Sequence, residues 1–172
     1  MAGLLKQLFG SDRPYVPTQR LPTDGWCQAT GIGRMNVVWP WYEVPDPQPL
    51  VDNYGREVGV APKLELHAPR SDRDVVLIVW SDSGGGFVVG SDWATSISKM
   101  YPGARIELNS PLALNGAIGR VARFNDQRET TWRMLIPRET SSVHMEVGVP
   151  SLHADAYWAQ IETMLATWGW DD

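Results

Sequence analysis

The sequence predicts an α+β fold, with a single antiparallel β-sheet of about six strands packed between helices. Two patterns and one contrast lead there. Three successive stretches from Ala117 to Val149 alternate apolar and polar side chains at period two. The segment that follows, up to Trp168, carries apolar residues at helical spacing. Up to Pro62, by contrast, the chain holds Pro14, Pro17, Pro22, Pro40, Pro45, Pro47, Pro49 and Pro62. Prolines at that density exclude long helices and central strands. The expected organisation is one domain, 1–172. Residues 1–62 form an amphipathic start and a proline-rich wrapping segment, and residues 63–172 form the sheet-and-helix core.

The period-two stretches read as three strands. Ile118, Ala122 and Phe124 share one face of the first, Thr130, Trp132, Met134 and Ile136 one face of the second, and Val143, Met145, Val147 and Val149 one face of the third. Such alternation lets a strand bury one face and wet the other. Asn125-Asp126-Gln127 supplies turn chemistry between the first two. Placing Phe124 opposite Arg128 keeps both apolar sets on one side, with Arg123 against Glu129 and Arg120 over Trp132. A one-residue slip would mix the faces. In the terminal segment Ser151 is a candidate cap. Trp158, Ile161, Leu165 and Trp168 make the buried stripe, flanked by Tyr157 and Met164.

Upstream, Leu4, Leu5, Leu8 and Phe9 sit at helical spacing before Gly10. A helix that short needs something to dock on: its own domain, a partner or a membrane surface. Ile32 to Trp39 reads as one strand, and 46–56 as an exposed loop. Leu64, Leu66 and Ala68 alternate with Glu65 and His67, whereas Val75 to Trp80 is apolar throughout, as in a strand buried on both faces. These two make a hairpin whose second strand lies near the sheet centre. Phe87-Val88-Val89 suggests a return strand. Ser91 and Asp92 open a helix over Trp93, Ile97, Met100 and Tyr101 that Pro102-Gly103 stops. Ala104 to Leu108 reads as a strand and Asn109 to Asn115 as a connector.

Composition narrows the function classes. With 172 residues, 43% of them hydrophobic, and nine Trp, the chain can bury a sizeable core. A net charge of −5 argues against bulk binding to nucleic acid or an anionic membrane. The one cysteine, Cys27, excludes an intramolecular disulfide and reads as a partly buried thiol. No apolar run approaches the roughly 20 residues of a membrane span. No cleavable leader is visible, so the expected address is cytoplasmic.

The chemical motifs fail one by one. Gly84-Gly85-Gly86 is followed by Phe87 and Val88 rather than the Lys and Ser/Thr a phosphate loop needs, and Gly31-Ile32-Gly33 lacks the third glycine of a dinucleotide fingerprint. Neither Ser81 nor Ser83 sits in Gly-x-Ser-x-Gly. His144 and Glu146 share a strand face and offer two metal ligands, with His67 or Asp155 as a third, although such spacing is common on solvated faces. Arg120, Arg123, Arg128, Arg133 and Arg138 cluster in one hairpin, softened by Asp126, Glu129 and Glu139. No cofactor is expected.

From Val75 onward the order is a buried strand, the Trp93 helix, Tyr101-Pro102-Gly103-Ala104 and a strand. Then come Leu112-Ala113-Leu114-Asn115-Gly116-Ala117, a three-stranded meander and a helix ending in Trp168 and Trp170. This order resembles the Mog1/PsbP-like superfamily, which includes small bacterial lipoproteins and the Eag-type chaperones of secretion effectors. The resemblance covers roughly the C-terminal hundred residues. It implies an antiparallel sheet between helices and a non-catalytic role in binding another protein or an apolar peptide segment. The expected function is therefore a cytoplasmic adaptor or chaperone-like protein of a bacterial secretion or assembly system. Its expected partner-binding residues are Leu4, Leu5, Leu8, Phe9, Trp39, Trp41 and Tyr42. Two alternatives stand beside it: a small metal-dependent hydrolase using His144 and Glu146, and an immunity or inhibitor protein against a basic toxin.

Overall fold

The computed structural model describes residues 25–49, 61–70, 73–82, 95, 97–99, 101–126 and 128–171. The amphipathic start, the Gly84-Gly85-Gly86 loop and the expected strand at 87–89 lie outside them. The single six-stranded sheet is replaced by two antiparallel sheets. β1 (Gly25–Ala29), β2 (Gly33–Val37) and β10 (Gly169–Trp170) form the smaller, in the order β1-β2-β10. The larger contains β3 (Tyr42–Glu43), β4 (Leu64–Ala68), β5 (Val75–Asp82), β6 (Arg105–Leu114), β7 (Ala117–Asn125), β8 (Glu129–Pro137) and β9 (Ser142–Pro150), in the order β3-β4-β5-β9-β8-β7-β6. The sequence shows too few strands because β3 and β10 have two residues each, and because β1, five residues long, lies within the stretch read as a proline-rich wrapping segment. β6, by contrast, is a ten-residue edge strand with little buried surface to impose an alternation.

β6 takes the place of the connector expected at 109–115. It turns into β7 through Asn115 and Gly116, whose φ values of 41° and 82° are both positive, as in a type I′ hairpin. The β7–β8 register also differs from the expected one. Phe124 pairs with Thr131, Arg123 with Trp132 and Val121 with Met134. The turn is looser than Asn125-Asp126-Gln127 alone implies: Asn125 pairs with Thr130, and the Asp126 N–H donates to the Glu129 carbonyl at 3.1 Å. An offset of an odd number of residues exchanges faces. Arg123, not Arg120, therefore lies over Trp132, 5.1 Å from the ring centroid, while Arg120 bonds Asn109.

Both faces of the larger sheet are covered. Val121, Trp132, Met134, Met145 and Val147 point to one face, where they meet Met35 and Val37 of the smaller sheet and Ile161, Met164 and Leu165 of α1 (Ala154–Leu165). On the other face Ile97 and Tyr101 pack on Ala122, Phe124 and Leu135. Ile97 belongs to the described helical residues 95 and 97–99. This two-sided cover explains β5, where all six residues from Val75 to Trp80 are buried, and β9, where Ser142 to Val149 are.

The stripe expected on α1 holds for Ile161, Leu165 and, just beyond, Trp168, with Trp158 half-buried and stacked on Trp132 at 5.0 Å and 6°. Ser151 does not cap α1. It sits in a 3₁₀ turn, Ser151–His153, and receives a 3.1 Å bond from the Thr130 hydroxyl. β10 reaches β2 because Gly33 leaves room: a Cβ there would lie 2.8 Å from the Trp168 ring and against the Gly169 carbonyl. Among the described residues no helix is long and apolar enough to cross a membrane.

Trp132 joins the sheet, α1 and Arg123 at one point, with 1% of its surface exposed. Trp132→Ala is expected to cost about 3–5 kcal/mol in urea unfolding followed by circular dichroism. Ile118→Ala, at a residue 75% exposed, should stay within about 0.5 kcal/mol. Equal shifts for the two would contradict this packing.

Candidate functional site

Two places collect the residues with chemical potential. The first is the second face of the larger sheet. Register sets Arg133 of β8 opposite Glu146 of β9, and Trp80 of β5 opposite His144. Glu146 is fully buried, and its Oε2 accepts from Arg133 Nη1 at 2.7 Å and from the Tyr101 hydroxyl at 2.8 Å. His144 stacks flat on Trp80, centroids 5.1 Å apart, and its Nε2 meets Asp82 Oδ2 at 2.8 Å. Arg133 also lies over Trp80, at 5.2 Å. The face expected to be solvated is thus a buried polar array, because the helical residues around Ile97 and Tyr101 cover this side.

Burial sets the protonation states. It pushes the Tyr101 hydroxyl well above its usual range, and the Glu146 carboxylate adds to the effect. For Arg133 burial opposes the charge, but Glu146 and Tyr101 more than offset it. His144 is held below the usual histidine value, by burial first and the Arg133 charge second, against the pull of Asp82. Among the described residues, Glu146 Oε1, Arg133 Nε, His144 Nδ1 and Asp82 Oδ1 are buried without a hydrogen-bond partner. Each such atom costs about 1–3 kcal/mol. The desolvation cost of a buried ion pair offsets much of its Coulombic gain, while removing one partner alone leaves an uncompensated buried charge.

This geometry leaves the expected metal ligands apart. Asp155 lies across the sheet, paired with Arg123 at 2.9 Å. His67 shares the face of His144 but lies beyond β5, its two ring nitrogens facing Glu65 at 2.6 Å and Asp74 at 3.2 Å. Among the described residues no group of three His, Cys, Asp or Glu is placed to hold a metal. The arginines do not make one basic face either. Arg133 is internal, Arg123 pairs with Glu107 and Asp155, and Arg138 lies over Trp170 at 4.3 Å.

The second place is a cleft of about 220 Å³ lined by Gly25, Trp26, Cys27, Val37, Trp41, Tyr42 and Glu43. It divides the expected aromatic site. Trp41 belongs to the core, 5% exposed, its indole N–H bonded to Gln160 Oε1 at 2.7 Å and its ring edge-on to Tyr157. Tyr42 is half-buried and donates to Asp74. Trp39 is 57% exposed, in the turn between Val37 and Trp41. Leu4, Leu5, Leu8 and Phe9 lie outside the described residues. Sequence reasoning missed Trp26, 55% exposed on β1, and Glu43. The alternation of Trp26 and Gln28 with Cys27 and Ala29 was the available signal. Cys27 is as expected a buried thiol, pushed up to about 12 by burial and by Glu43 beside it.

The depressed His144 sets a pH dependence. The fold disfavours the protonated imidazole, so stability is unaffected above the unfolded value of about 6.5 and falls as pH drops below it. The urea midpoint should decline as pH falls below about 6.5, and His144→Gln should flatten that decline. Parallel profiles for the two proteins would refute it.

No family model matches the chain, and no curated protein matches it by sequence. Among solved structures it is similar to CyanoP, the cyanobacterial PsbP of Synechocystis, at 11% identity and a TM-score of 0.52, over 86% of this chain and 98% of that one. It is also similar to a Pseudomonas aeruginosa protein of unknown function described as a putative regulator, at 12% identity and a TM-score of 0.47, over 72% and 94%. The likeness to CyanoP is one of fold: the chain has a PsbP-like α+β architecture.

Proposed function

We propose that this chain is a non-catalytic cytoplasmic protein-binding domain, an adaptor or chaperone-like subunit that holds an apolar segment of another protein. The observation that carries the reading is Trp26, 55% exposed in a cleft walled by apolar and aromatic side chains, with a second exposed tryptophan, Trp39, in the turn between the lining residues Val37 and Trp41. Trp26 has Arg34 over its ring at 5.2 Å, and partly exposed indoles beside a cleft are what interfaces use as anchors. At about 220 Å³ the cleft falls short of the roughly 300–1,000 Å³ of small-molecule sites. It suits side chains of a bound polypeptide better than a metabolite. The amphipathic start, Leu4, Leu5, Leu8 and Phe9, belongs to the same proposed surface. Trp41 supports that surface from within and Tyr42 forms part of its wall.

The experiment is affinity purification from the native cell, comparing the intact chain with a Trp26→Ala/Trp39→Ala variant and with a chain lacking residues 1–10. The double variant should keep its thermal unfolding midpoint within a few degrees, about what 1 kcal/mol shifts in a domain of this size. It should lose at least tenfold of the recovered partner, the change that about 1.4 kcal/mol makes. Full recovery by a folded double variant and by the truncated chain would overturn the assignment.

A further inference from the structure

The cleft has a chemistry more specific than its apolar wall. Among the described residues β1 ends the smaller sheet and β3 ends the larger, and the cleft lies between them. An end strand offers a row of backbone N–H and C=O groups to an added chain. Glu43 is the one charged residue in the lining, and it is half-buried. Its contact there is the Cys27 thiol, and no cation pairs with it among the described residues. A carboxylate in a partly dry wall is stabilised by a cation brought to it.

We propose that the cleft takes an extended segment of a partner protein, added along the β1 edge, with apolar side chains against Trp26 and Val37 and one Lys or Arg against Glu43. The inference rests on the protein-binding reading and names the chemistry of the bound segment. Backbone pairing supplies affinity in this mode, and alternate side chains supply the choice of sequence. Glu43 confers the preference for a basic residue.

The test is an array of apolar hexapeptides that vary one central position among Lys, Arg, Ala and Glu. It is probed with the full chain, with Glu43→Gln and with Glu43→Lys. The full chain should retain the Lys and Arg peptides roughly tenfold over the Glu peptides, about what one charge-assisted contact contributes. Glu43→Gln should abolish that preference, and Glu43→Lys should reverse it. Three outcomes overturn the proposal. One is no peptide retained, and another is a basic preference unchanged in Glu43→Lys. The third is peptides bound only by a chain lacking residues 1–10, which assigns the cleft to the chain's own start. Partner recovery that depends on Trp26 and Trp39 survives each of these, so loss of the charge rule is distinguishable from loss of the binding reading.

Discussion

The pairing of β5 with β9 at the middle of the larger sheet is the constraint on which the rest depends. Both strands are buried almost throughout, so each face of the sheet must carry its own cover. One cover is α1 with the smaller sheet; the other includes Ile97 and Tyr101. Because β9 is internal, its polar pair cannot be solvated. Glu146 is fixed by Arg133 across the β8–β9 ladder and by Tyr101 from above, and His144 by Asp82 at the end of β5. The polar array is a consequence of two-sided burial, and its arginine and tyrosine are accounted for by satisfying Glu146.

The smaller sheet solves a different problem. β2 brings Met35 and Val37 down onto the core, and Gly33 lets Trp168 and Gly169 approach closely enough for β10 to pair. The chain's end is thereby tied to β2, with the Asp171 N–H bonded to the Ile32 carbonyl at 3.1 Å. Two sheets that share one core still keep separate edges. Where the β1 edge approaches β3, the wall is aromatic and carries the single carboxylate of Glu43.

Much of the scaffold was legible in the sequence. The apolar run Val75–Trp80 and the stripe of α1 mark burial directly, and the structure has both; the alternation located β8 and β9 but implied one wet face on each, which the structure buries. The β7–β8 register was not legible, because both faces of β8 are apolar enough to accept either pairing; the turn decided it. β6 lacked a periodic signal because it is an edge strand, yet Asn115-Gly116 announced its hairpin. The candidate site was half legible. Trp39-Pro40-Trp41-Tyr42 stood out, but composition alone cannot separate Trp41, which fills the core, from Trp39, which faces solvent. Trp26 and Glu43 meet only because β1 and β3 belong to different sheets that fold together, and no local pattern encodes that.

Under the proposed binding role, specificity lies at the meeting of β1 and β3, with the large sheet as its support. Hydrogen exchange of the chain, alone and with the partner recovered from its own cell, tests this most directly. Added protection should be confined to 25–29 and 37–43, with β5, β8 and β9 slow in both states. Protection gained instead along β6, at the opposite edge of the larger sheet, with 25–29 unchanged, would contradict it.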